Sequence, residues 1–76
     1  MVKVKKKLKE LDELADEITK LAEKLKEKIF KLYDMTDDGD VKMMAEGNGY
    51  RVAVLISNMR TLKGWIKKGY IKFKEE

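Results

Sequence analysis

The side chains in this chain that could do chemistry are few, and their spacing limits what they could do. There is no histidine and no cysteine among the 76 residues, which leaves no imidazole base near neutrality and no thiolate nucleophile. Ser57 is the only serine, and it has no histidine to activate it. Carboxylates cluster at Asp37, Asp38 and Asp40, but a polar, solvated turn does not push their pKa values apart into an acid and a base. Gly47-Asn48-Gly49 lacks the Lys-Ser/Thr and the following helix of a phosphate loop. The chain is therefore expected to be non-enzymatic, and no cofactor is implied.

Two segments carry partial motifs. Asp34, Thr36, Asp38, Gly39 and Val41, approached through Phe30-Lys31-Leu32-Tyr33, resemble the first half of a calcium-binding EF-hand loop. Carried over, Asp34, Asp38 and Asp40 would be the metal candidates. The resemblance stops at the twelfth position, where Ala45 stands in place of a bidentate Glu and Glu46 comes one residue late. A helix-terminating turn accounts for the same residues through Asx chemistry, so no metal site is expected and this loop is only a weak candidate. Farther on, Arg60-Thr-Leu-Lys-Gly-Trp-Ile-Lys-Lys-Gly-Tyr-Ile71 resembles the recognition region of excisionase and MerR-type winged helix-turn-helix proteins. That resemblance implies that Arg60, Thr61, Lys63, Lys67 and Lys68 face DNA, with Gly69-Tyr70-Ile71 beginning the wing. A short core helix with a solvated lysine face explains Leu62 and Trp65 as well.

The element that must position anything else is N-terminal. Leu8, Leu11, Ala15, Ile18, Ala22, Leu25, Ile29 and Leu32 repeat at alternating spacings of three and four, the signature of one apolar helix face. Leu14 and Leu21 widen the stripe, and Asp16→Lys20 and Glu27→Lys31 are favourably oriented pairs. The spacing predicts a helix from about residue 6 to 33, with residues 1–7 as a frayed basic tail or a short strand at Val2 and Val4. Lysines near a helix N-terminus oppose the macrodipole.

Beyond the aspartates the period changes to two. Val41, Met43 and Ala45, then Tyr50, Val52, Val54 and Ile56, alternate around Gly47-Asn48-Gly49, which predicts a β-hairpin with a glycine turn. Asn58 is placed to cap a short helix through Met59, Leu62, Trp65 and Ile66, with a strand over 59–68 as its rival. Tyr70 to Lys74 alternates again as a closing strand. The expected fold is α+β: one long amphipathic helix packed on a small antiparallel sheet, in the order α-β-β-α-β, as a single domain spanning 1–76.

Charge and size bear on partners. Net charge is +3 over residues 1–33, −4 over 34–50 and +5 over 51–76, so both ends are basic and the middle is acidic. A core of this size supplies only about 3–5 kcal/mol, and no disulfide or His/Cys metal cage adds to it, so self-association is a serious option. The longest apolar run, Val52 to Ile56, is far short of the roughly 18 residues of a membrane span. Met1 to Leu14 has no continuous apolar stretch, so no secretory leader is read and a cytoplasmic location is expected. The expected function is that of a small regulatory or inhibitory protein that binds a protein partner, with a homodimer as an added option, through Leu14, Leu21, Met44 and Tyr50. Its composition resembles that of accessory proteins of phages and mobile elements. The alternative is a DNA-binding regulator using the basic C-terminal segment.

Overall fold

The computed structural model describes residues 2–72, with side chains from Val4 onward. These residues form two antiparallel α-helices, α1 over Val2–Met35 and α2 over Gly39–Lys72, joined by three residues. The molecule is a rod of 57 × 14 × 12 Å with a Cα radius of gyration of 17.2 Å, whereas a compact chain of this length would have about 11 Å.

The long N-terminal helix is present, extended at both ends beyond the stretch that its apolar spacing marks out. The expected sheet is not: among the described residues there is no strand, and residues 41–56, read above as a hairpin, lie inside α2. A period of two and a period of seven can share the same residues. Val41, Ala45, Val52, Ile56, Met59 and Ile66 continue a helical spacing through Gly47 and Gly49, and they are buried or half-buried along one side of α2. No glycine has positive φ, so Gly47-Asn48-Gly49 makes no turn. The short helix expected after Asn58 is the second half of α2, with Asn58 in its interior rather than at its cap. The closing strand is overturned at 70–72, which are helical; residues 73 and 74 lie outside the described residues.

The turn does fall where the aspartates cluster. Asp38 caps α2: its Oδ1 accepts the backbone N–H groups of Asp40 at 2.9 Å and Val41 at 3.0 Å, satisfying donors that have no partner within the helix. The hydroxyl of Thr36 accepts the N–H of Asp38 at 3.1 Å. At the other side of the turn, Lys42 Nζ donates to the carbonyl of Tyr33 at 3.1 Å and stands 4.2 Å from the centre of its ring. A cation there favours the negative end of α1 as well as closing the hairpin.

Small residues allow the helices to approach closely. Ala15, Ala22, Ala45 and Gly49 are buried. A Cβ at Gly49 would stand 3.1 Å from Phe30 Cζ, and one at Gly69 would stand 3.0 Å from Leu8 Cδ1. Both glycines therefore receive a large side chain from α1, which is a packing role rather than a turning one.

Gly47 and Gly64 have open space where a Cβ would go. Replacing either with Ala is expected to raise stability by about 0.5–1 kcal/mol in urea unfolding. Gly47→Ala is the decisive one, because in a positive-φ turn the same change would lower the urea midpoint.

Candidate docking face

The two broad faces of the hairpin differ in chemistry. On one side, Lys63 reaches from α2 to α1, where Asp16 accepts its hydrogen bond and Asp12 lies 3.7 Å away. Lys67 and Tyr70 line the same shallow hollow beside Asp12 and Lys63. Lys63 is held protonated above its ordinary pKa of 10.5, chiefly by the hydrogen bond to Asp16; desolvation opposes this and the charge of Asp12 adds to it. The Tyr70 hydroxyl is also pushed up, first by desolvation and then by the charges of Asp12 and Glu13. This face is wet and ion-paired.

The other face is apolar. A groove between the helices near the loop end is lined by Leu25, Leu32, Met44 and Leu55, with Asn48 and Arg51 at its rim. It continues along α1 through Leu11, Leu14, Ile18 and Leu21, which follow one another at three- and four-residue steps and so share a side of the helix. These side chains are far from covered: Leu14 is 52% exposed, Leu21 66% and Leu25 51%. On α2, Leu62 and Trp65 extend the same flank that begins with Met44 and Leu55, at seven-residue multiples. Trp65 is 65% exposed, with Lys68 Nζ 4.7 Å from its ring centre. Scattered exposed leucines are ordinary, but a contiguous strip of them running the length of a helix is not.

Of the residues expected to bind protein, Leu14, Leu21 and Met44 fall on this face. Tyr50 does not, lying roughly 120° round α2 from Met44. Leu11, Leu25, Leu32, Leu55 and Trp65 belong to the face and were not singled out from the sequence, where most of them read as core. The one signal that could have found them is the width of the α1 stripe, broader than one neighbouring helix can cover.

The expected DNA-facing residues are spread out. Arg60, Thr61, Lys67 and Lys68 are exposed, but Lys63 is engaged by α1. Gly69-Tyr70-Ile71 is helical, so the wing is absent. Asp34, Asp38 and Asp40 do not converge: no group of three or more His, Cys, Asp or Glu able to hold a metal occurs among the described residues, and Asp38 serves as a cap. No helix among them is long and apolar enough to cross a membrane. Comparison with protein families, curated proteins and solved structures finds no match to this chain.

A raised lysine pKa stabilises the fold below the unfolded value of 10.5, and that contribution is lost as pH rises through the folded one. A raised tyrosine pKa acts in the same alkaline window. In a Tyr70→Phe background, Lys63→Met is therefore expected to lower Tm at pH 7, to flatten the loss of stability above pH 10.5, and to matter less in 1 M salt, where screening shortens to about 3 Å. An unchanged Tm at pH 7 would remove the stabilising contribution assigned to Lys63.

Proposed function

We propose that the chain is a non-catalytic protein-interaction module whose working surface is the apolar broad face of the hairpin. The observation that carries this reading is the uncovered row Leu11, Leu14, Leu21, Leu25 and Leu32, with half-buried Ile18 among them, beside Met44 and Leu55 across the groove. Water-exposed apolar surface contributes roughly 25 cal/mol per Å² when covered, and a partner helix with its own apolar stripe would cover it by ridges-into-grooves packing. A role as a small regulatory or inhibitory protein is compatible with such a face, because one that docks by shape and apolar contact needs no reactive side chain. The carboxylates of the turn are exposed, and Ser57 is exposed on the outer side of α2 with no base beside it, which supports a non-enzymatic reading.

A second reading rests on the open end of the rod. The hairpin brings Lys5, Lys6 and Lys9 of α1 to Tyr70 of α2, close to Lys67, and a concentration of cations attracts phosphates without reading sequence. On that reading, mixed-sequence duplex DNA is retarded at low salt and affinity falls steeply with ionic strength. No retardation at 20 mM salt would dispose of it.

For the protein-binding reading, a photoreactive phenylalanine analogue placed at position 21 is expected to give discrete crosslinked species in cells expressing the chain. The same group at position 57, on the outer side of α2, is expected to give none. Equal crosslinking from both positions, or none from position 21, would overturn the assignment of the face.

A further inference from the structure

We propose that the occupant of the apolar face is a second copy of this chain, forming a four-helix bundle in which α1 lies antiparallel on α1 of the second copy and the two loops point to opposite ends. The inference rests on the reading of the apolar face as the working surface and commits it to a partner.

The first support is area. The chain exposes 6325 Å², whereas a compact monomer of 8.9 kDa would expose roughly 4,800 Å². The excess of about 1,500 Å² exceeds the roughly 800 Å² that each partner buries in a standard interface and lies in the range of obligate dimers. The surplus belongs to the elongated shape as a whole, and an occupant that runs alongside the rod on its apolar face would remove a share of it. A second copy is such an occupant.

The second support is charge. Glu10, Glu17, Lys24 and Lys31 recur every seven residues along the α1 row that borders Leu14 and Leu21, acidic in the first half and basic in the second. A two-fold axis near Leu21 sets Glu17 against Lys24 of the second copy and Glu10 against its Lys31, and it leaves Leu21 facing Leu21. Lys28 then falls opposite Leu14, where its four-carbon stem can lie on the leucine with the ammonium in water. On α2 the same axis passes near Asn58, so it sets Arg51 against Trp65 of the second copy and leaves Asn58 facing Asn58.

The third support is the layout of the ends. The loop end carries Asp34, Asp37, Asp38 and Asp40, and the open end carries Lys5, Lys6, Lys7 and Lys9. With loops at opposite ends, each lysine-rich end overlies the aspartates of the other copy. The competing arrangement, with loops at the same end and α1 on α2, stacks like charge on like charge and gives Glu17 and Lys24 the uncharged Thr61 and Val54 as neighbours. Unfavourable pairing in one arrangement selects the other.

The test uses sedimentation equilibrium of the full chain, with Trp65 emission as a second readout. The expected result is a species of twice 8.9 kDa at 50 µM, with the emission shifting to longer wavelength on dilution as Trp65 returns to water. A monomer at 50 µM overturns the proposal; if position 21 still crosslinks to a different protein, the docking face stands and only the second copy is lost. Glu17→Lys and Lys24→Glu are each expected to weaken dimerisation by roughly tenfold, since each creates two like-charge contacts per dimer, and the double variant Glu17→Lys/Lys24→Glu to restore it. Glu17 is preferred to Glu10 because Glu10 already has Lys7 at 3.4 Å. Failure of the double variant to recover overturns the α1-on-α1 pairing. Because the chain has no cysteine, a single spin label at Asp37→Cys reports the loops directly: about 50 Å apart as proposed, and adjacent if the loops share an end, which also overturns it.

Discussion

Close approach of α1 and α2 at small residues is the constraint from which the remaining features of the molecule follow. Gly49 lies under Phe30 and Gly69 under Leu8, and each position lacks room for a methyl group without a shift of the neighbour. With Ala15, Ala22 and Ala45 also buried in the seam, the contact is made largely by residues that have little surface to bury. The leucines that would normally fill such a seam stand to one side of it, half in water. Tight seating of two helices and an uncovered apolar flank are thus two results of a single choice of residues. Among the described residues only Ala15, Ala22, Ala45, Ile56 and Ile66 count as a buried apolar core, and side chains of that size and number bury too little area to hold 34-residue helices together unaided.

Specificity of register comes from the opposite face. Lys63 lies between Asp12 and Asp16, one turn apart on α1, so a slip of one turn would leave one carboxylate near it and move the other away. The pairs are partly exposed, and isolated surface ion pairs contribute little to stability. Their value is in rejecting other alignments of an alanine-rich seam, which by itself discriminates weakly between registers. The loop adds a second check, because Asp38 and Lys42 fix where α2 begins relative to the carbonyl of Tyr33.

How much of this was legible depends on the residue. The α1 stripe is unambiguous because eight apolar residues hold the 3–4 spacing with no slip, and the break at Asp34–Asp40 is legible because Asx side chains compete for backbone donors. Residues 41–56 carry the pattern of a hairpin, yet form a helix, for a physical reason. Val, Tyr and Ile are residues of strands as much as of buried helix faces, and two glycines near an asparagine have turn chemistry in either case. What decides between them is Phe30 and Leu8, which occupy the space above Gly49 and Gly69; that information is tertiary and lies 19 and 61 residues away along the chain. The face was half legible. Leu14 and Leu21 stand out in the sequence because they broaden the stripe, whereas the expected sheet would cover Leu11, Leu25 and Leu32. Removing the sheet leaves them bare.

That last step also separates the apolar face from the molecule's other exposed apolar side chains. Met43, Tyr50 and Ile71 are each more than 60% exposed, yet they sit seven and twenty-one residues apart on the outer side of α2, with Ser57 and Gly64 between Tyr50 and Ile71 and no row beside them on α1. Such isolated residues are the normal surface of a small protein. The face through Leu14 and Leu21 differs in being two helices wide and continuous from the middle of the rod to the groove at Leu32 and Met44. It is bordered by Glu17 and Lys24 on α1 and by Arg51 on α2, and a charged border around an apolar strip is the anatomy of an interface core with its rim. A two-helix layer with that anatomy has the form of half a bundle. The sign reversal between Glu17 and Lys24 favours a missing half identical to the first, because a border that changes sign about its own midpoint is complementary to its own antiparallel copy.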